Sequence, residues 1–157
     1  PYDLLRGYYV TLSYEISRPG NLDDLPGWQT LNVPPPIARQ NHLFAEGQPL
    51  YVVLEEPIIS VDDQGPNPWT PVQVSATVPS PLPPNQVALR GIYRHGRILY
   101  GLERYYIPED QRIAINDHIN AVQRTGNLES YVVEVKVSPQ GTSVPLRLWV
   151  DGQSYQF

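Results

Sequence analysis

The sequence predicts a mainly β (α+β) fold, an antiparallel sandwich or partly open barrel of about seven or eight strands with one helix. Three observations carry that prediction. Apolar and polar residues alternate with period two in several separate runs. The 18 Pro and 11 Gly among 157 residues punctuate the chain too often for long helices. Only one segment carries apolar residues at helical spacing. The length suits a single domain over 1–157.

The elements follow in order. Over residues 8–16, Tyr8, Val10, Leu12, Tyr14 and Ile16 alternate with Tyr9, Thr11, Ser13 and Glu15, which predicts a strand with one buried face. Arg18-Pro19-Gly20-Asn21 ends it. Residues 17–49 read as a long irregular connection with six prolines, extended and polyproline-like from Leu31 to Ile37. Tyr51 to Glu56 reads as a strand stopped by Pro57, and Asp62 to Pro68 as a turn region. Val72, Val74, Ala76 and Val78 alternate with polar residues in a third strand, followed by a stiff connector from Pro79 to Pro84.

Val87 to Arg94 and Arg97 to Leu102 flank His95-Gly96, a two-residue hairpin turn of the primed type. That register gathers Leu89, Gly91, Tyr93, Ile98, Tyr100 and Leu102 on one face, with Tyr100 covering the gap at Gly91. Arg90, Arg94 and Arg97 take the other face. Pro108-Glu109-Asp110 opens the helix, since Pro fits its first turn and carboxylates favour the positive end of the helix dipole. Ile115, Ile119 and Val122 form its inward stripe, and Gly126-Asn127 ends it. In the final hairpin Tyr131, Val133, Val135 and Val137 face inward, as do Val144, Leu146, Leu148 and Val150 across the Ser138–Gly141 turn. Arg147 and Trp149 face out there. Asp151-Gly152 is a further tight turn leading to a short last strand.

Charge excludes some functions. The 11 Lys and Arg against 16 Asp and Glu give a net charge of −5. A domain built to neutralise phosphates shows the reverse balance, so nucleic acid is not the expected partner. With no Cys there are no disulfides, cysteine nucleophiles or thiolate metal sites. No apolar run reaches the length that spans a bilayer. His42, His95 and His118 lack metal-ligand spacing, and no cofactor motif is present, so neither a metal nor a cofactor is expected.

Arg6-Gly7-Tyr8-Tyr9-Val10-Thr11-Leu12-Ser13-Tyr14 resembles the eponymous motif of the GDYXXLXY family, through Gly7, Tyr9, Leu12 and Tyr14. Tyr8 departs from it, standing where the motif has Asp. Glu103-Arg104-Tyr105-Tyr106-Ile107-Pro108-Glu109 resembles a second stretch of these bacterial proteins, which are frequent in cyanobacteria. The resemblance implies placement rather than chemistry: an N-terminal membrane helix, a domain on the extracytoplasmic (periplasmic) side, and an integral-membrane protein of the same system as partner. The absence of Met fits a domain that starts after such an anchor.

The candidate binding residues fall into three groups. Tyr9, on the polar face of the first strand, and Glu103 and Tyr105 of the second stretch belong to the resembling segments. Arg90, Arg94 and Arg97 form a basic face on an acidic chain, suited either to plain solvation or to docking an anionic partner. Trp28, Trp69 and Trp149 fall in loops or outward, where they could stack on sugars or peptides or simply close the ends of the core. No catalytic residue is assigned. The paired acidic residues are read as caps and turns, and Lys136 as a solvent-face partner of Glu134. The leading expectation is therefore a non-enzymatic binding or scaffolding domain tethered to a membrane. A carbohydrate- or peptide-binding module, and a hydrolase whose residues converge only in the fold, stand as alternatives.

Overall fold

A computed structural model describes residues 2–3, 7–11, 14–31, 47–59, 61–62, 65–124 and 131–156. The described residues are mainly β, paired antiparallel throughout, and no sheet among them closes into a barrel. Among them no helix is long and apolar enough to cross a membrane. The strands are β1 (Tyr2–Asp3), β2 (Gly7–Thr11), β3 (Pro49–Glu55), β4 (Val61–Asp62), β5 (Gly65–Pro66), β6 (Thr70–Ser75), β7 (Gln86–Arg94), β8 (Arg97–Leu99), β9 (Arg104–Tyr106), β10 (Tyr131–Val137), β11 (Ser143–Val150) and β12 (Gln153–Gln156). They form a four-stranded sheet ordered β6-β3-β7-β8, sheets ordered β1-β2-β9 and β10-β11-β12, and the small β4-β5 hairpin.

The β7–β8 hairpin has the expected register, Arg94 opposite Arg97 and Tyr93 opposite Ile98. His95 and Gly96 both take positive φ, 50° and 78°, as a type I′ turn requires. Leu89, Tyr93, Ile98, Tyr100 and Leu102 are buried on one face. A β-carbon at Gly91 would lie 2.5 Å from Ile98 Cγ2 and 2.9 Å from Tyr100 Cε1, so Tyr100 does fill that gap. Because Ile98 is branched and fully buried, Gly91→Ala should destabilise by ~1–3 kcal/mol as overpacking. Urea unfolding reads this as a lower midpoint at unchanged slope.

The first strand is shorter than its alternation suggests. β2 ends at Thr11, and Glu15–Ser17 form a 3-10 turn in which the Ser17 and Arg18 amides donate to the carbonyls of Tyr14 and Glu15. The 17–49 connection is not irregular over its whole length. Leu22, Leu25, Trp28 and Leu31 recur every third residue, and the amides of Leu25 and Trp28 donate to the carbonyls three residues earlier. These turns run through Pro19–Asn21 into a one-turn helix, α1 (Trp28–Leu31), and lay Leu22, Trp28 and Leu31 onto the four-stranded sheet. Most of the polyproline-like Leu31–Ile37 stretch, and the Gly126-Asn127 helix end, lie outside the described residues.

The third strand stops at Ser75, whose Oγ hydrogen-bonds at Thr77 and turns the chain, so Ala76 and Val78 are exposed. The final hairpin departs in one respect. Glu134 pairs with Arg147 but Val135 pairs with Pro145, which leaves Leu146 as the extra residue of a β-bulge. A bulge reverses which face the following residues take. Leu148 and Val150 are buried as expected, whereas Val144 is 50% exposed opposite Lys136 and Leu146 is 42% exposed. Asp151 and Gly152, at φ 48° and 79°, make the tight turn into β12.

Two buried clusters result. One lies between the α1 turns and the β6-β3-β7-β8 sheet. The other joins Tyr105 and Ile107 to Leu148, Val150 and Tyr155 under helix α2 (Arg112–Arg124), whose Ile115 and Ile119 point inward. A 3-10 turn at Glu109–Gln111 precedes that helix. β10 spans both clusters: Tyr131 and Val133 pack on the second, Val135 and Val137 on the first. Tyr14 touches both as well.

Candidate functional site

The fold brings the two family-like stretches side by side. β2 and β9 are antiparallel neighbours, with Tyr9 opposite Tyr106, Val10 opposite Tyr105 and Thr11 opposite Arg104. Their sequence separation of some ninety residues gave no hint of this pairing. The side chain of Tyr9 lies outside the described residues. Tyr105 is 1% exposed in the second core, and so packs rather than presents itself.

Around this pairing stands a set of interior tyrosines. The Tyr14 hydroxyl donates to the Leu102 carbonyl oxygen. The Tyr100 hydroxyl donates to the Ile16 carbonyl oxygen at 2.5 Å. The two bonds are reciprocal: each segment, 14–16 and 100–102, supplies one phenol and one carbonyl to the other. Such bonds satisfy backbone groups in the interior and fix the entry of β9 against the 14–17 turn. Glu103 Oε1 accepts the Tyr100 amide at 2.6 Å and so holds the turn that passes through Gly101 at φ 80°. Its role here is to shape the turn.

Burial, above all, pushes the Tyr14, Tyr100 and Tyr105 hydroxyls well above the ordinary tyrosine range, and the Glu103 carboxylate adds to the shift in each. For Tyr105 the neighbouring Tyr14 hydroxyl pulls the other way. Three phenols held neutral act as donors and spacers; none is poised as a base or nucleophile near neutral pH.

The second arrangement is the basic hairpin. Arg90, Arg94 and Arg97 are exposed on the face of β7–β8 that turns away from the core. Arg94 and Arg97 stand directly opposite each other beside the turn. Ile92 and Leu99, also opposite each other, lie on the same face, with Leu99 exposed. The backbone beneath is rigid. The Arg90 amide donates to the Gly141 carbonyl at 2.9 Å, docking the β10–β11 turn on β7. The Gly47 amide donates to the Tyr93 carbonyl at 2.8 Å.

The three tryptophans do not form one surface. Trp28 is 5% exposed and belongs to the first core, the second of the two roles its sequence position left open. Trp69 is half-buried just ahead of β6. Trp149 faces away from Leu148 and Val150 as expected, but its Nε1 donates to Glu134 Oε2 at 3.4 Å and its ring lies where a β-carbon on Gly65 would come within 3.3 Å. Glu134 also pairs with Arg147 at 3.8 Å, in place of the neighbouring Lys136. His118 Nδ1 meets the Tyr155 hydroxyl at 2.8 Å, His95 sits at the hairpin turn, and His42 lies outside the described residues.

One exposed feature was missed in the sequence. After Pro57 the chain presents Ile58, Ile59 and Val61 to solvent, with Ile58 fully exposed. The Asn67 Nδ2 donates to the Ile59 carbonyl at 2.9 Å and clips the loop. Adjacent isoleucines behind a strand-ending proline were the available signal.

A family model described as GDYXXLXY protein matches residues 1–148. No curated protein and no solved structure matches the chain.

Proposed function

The chain belongs to the GDYXXLXY protein family, and from that premise we propose that it is a non-catalytic binding or scaffolding domain, tethered to a membrane on its extracytoplasmic side. Its partner is an integral-membrane protein of the same system, reached through the basic hairpin. The observation that carries this reading is the exposed Arg90, Arg94 and Arg97 face on a rigid β7–β8 hairpin in a chain of net charge −5. Three guanidinium groups on one exposed face complement an anionic surface, which favours encounter and register on binding. The tyrosines near the family motif support the same reading from the other side. They are consumed in holding two backbone segments together.

Affinity capture from native membranes, with this chain as bait, tests the proposal. An integral-membrane protein should be retained by the wild type. Its recovery should fall by roughly tenfold or more with Arg90→Gln, Arg94→Gln and Arg97→Gln combined. The combined variant should unfold close to wild type, since exposed substitutions each stay within about 0.5 kcal/mol. Retention unchanged by the three substitutions, or capture of no membrane protein, overturns the reading.

A further inference from the structure

The four-stranded sheet has two unlike ends. At one end the β7–β8 turn carries Arg94 and Arg97 around the apolar strip of Ile92 and Leu99. At the other end β3 runs out through Glu55 and Glu56 into the loop of Ile58, Ile59 and Val61, closed by Asp62. Glu56 and Asp62 are exposed beside the isoleucines. The antiparallel register, with Pro49 opposite Ile92 and Glu55 opposite Gln86, sets these ends apart along the strand direction. Eight residue steps from Gln86 to Arg94 correspond to roughly 26 Å of β-strand.

The two ends are complementary. One presents aliphatic side chains within an acidic rim, the other an aliphatic strip within a basic rim. A rigid sheet keeps them from meeting inside one chain. We propose that copies of this chain associate head to tail, the isoleucine loop of one seated against the Ile92–Leu99 strip of the next, with Glu56 and Asp62 facing Arg94 and Arg97. The inference rests on the reading of the basic hairpin as a docking surface: within an assembly a second copy occupies it, and the hairpin left free at the terminal copy stays open to the membrane partner. Unlike surfaces joined in this way leave one donor end and one acceptor end free after every addition, so the assembly does not close at two. Small patches of this kind bind weakly, and a shared membrane tether raises the effective concentration at which they act.

Sedimentation of the purified chain over a rising concentration series, at low and at high salt, tests the inference. Mass should climb through dimer to larger species at low salt and revert toward monomer as salt screens the rims. Ile58→Ser with Ile59→Ser removes one end, and Arg94→Gln with Arg97→Gln removes the other. Each variant should stay monomeric alone. Their mixture should form dimers and stop there, because each partner then has one working end. Glu56→Gln with Asp62→Asn repeats the first variant without altering the isoleucines, and unfolding midpoints establish that each variant is folded. A wild type that remains monomeric, a wild-type series that stops at two, or variants that assemble like the wild type each overturn the inference. No membrane enters this experiment, so its failure leaves capture by the basic hairpin standing, and failed capture leaves self-association standing.

Discussion

Gly27→Ala should destabilise the domain by at least ~3 kcal/mol, and it is the most damaging methyl group the fold could receive among its described glycines. Two effects add. Gly27 sits at φ 91°, where an L side chain is strained. A β-carbon built there would lie 1.9 Å from the Val74 carbonyl oxygen. That atom is backbone, so no side chain can swing aside. The Val74 amide donates to the Pro26 carbonyl at 3.0 Å, which is why the chain must come so close: residues 26 and 27 run along the open edge of β6. Separating them would strip Leu22, Trp28 and Leu31 from the first core. Urea unfolding measures the loss. A near-wild-type midpoint would mean that the α1 turns are not packed on β6.

Stability should also fall steeply in alkali. Tyr14, Tyr100 and Tyr105 keep their protons in the folded chain at pH values where unfolded tyrosine, at about 10, has released them. Above that value the unfolded state binds fewer protons than the folded state, so unfolding becomes easier as pH rises. Below it both states are protonated and these groups add no pH dependence. Each retained proton contributes a slope that approaches 2.303RT per pH unit, so three together contribute ~4 kcal/mol per unit well above pH ~10. Urea midpoints taken at about pH 8 and about pH 11 should differ accordingly. Ultraviolet titration should show Tyr14, Tyr100 and Tyr105 ionising only as the chain unfolds. All tyrosines ionising together near the ordinary value in the folded protein would contradict the buried cluster. Tyr100→Phe should flatten the alkaline slope, which separates the titration from a general loss of structure.

Much of the fold was legible because it depends on neighbours in sequence. The β7–β8 register follows from His95-Gly96 and the alternation around it, and Gly91 beneath Tyr100 follows from that register. Ile115 and Ile119 on one face of α2 follow from helical spacing. The errors have physical causes too. The β11 bulge at Leu146 is invisible in an alternating run, because an extra residue looks like any other until its partner strand is known. The Leu22, Leu25, Trp28 and Leu31 spacing was present but obscured by prolines, and a period of three fits neither of the two usual templates.

The candidate site divides the same way. The basic face of Arg90, Arg94 and Arg97 could be read directly, since it needs only one hairpin. Family membership was likewise written in local motifs. The pairing of β2 with β9, the exchange of hydroxyls between Tyr14 and Tyr100, and the two opposed ends of the four-stranded sheet could not be read. Each joins segments far apart in the chain. Local chemistry settles which face of a strand is apolar and where it turns. Which distant strand it then meets depends on the packing of the whole chain, and so it emerged only with the fold.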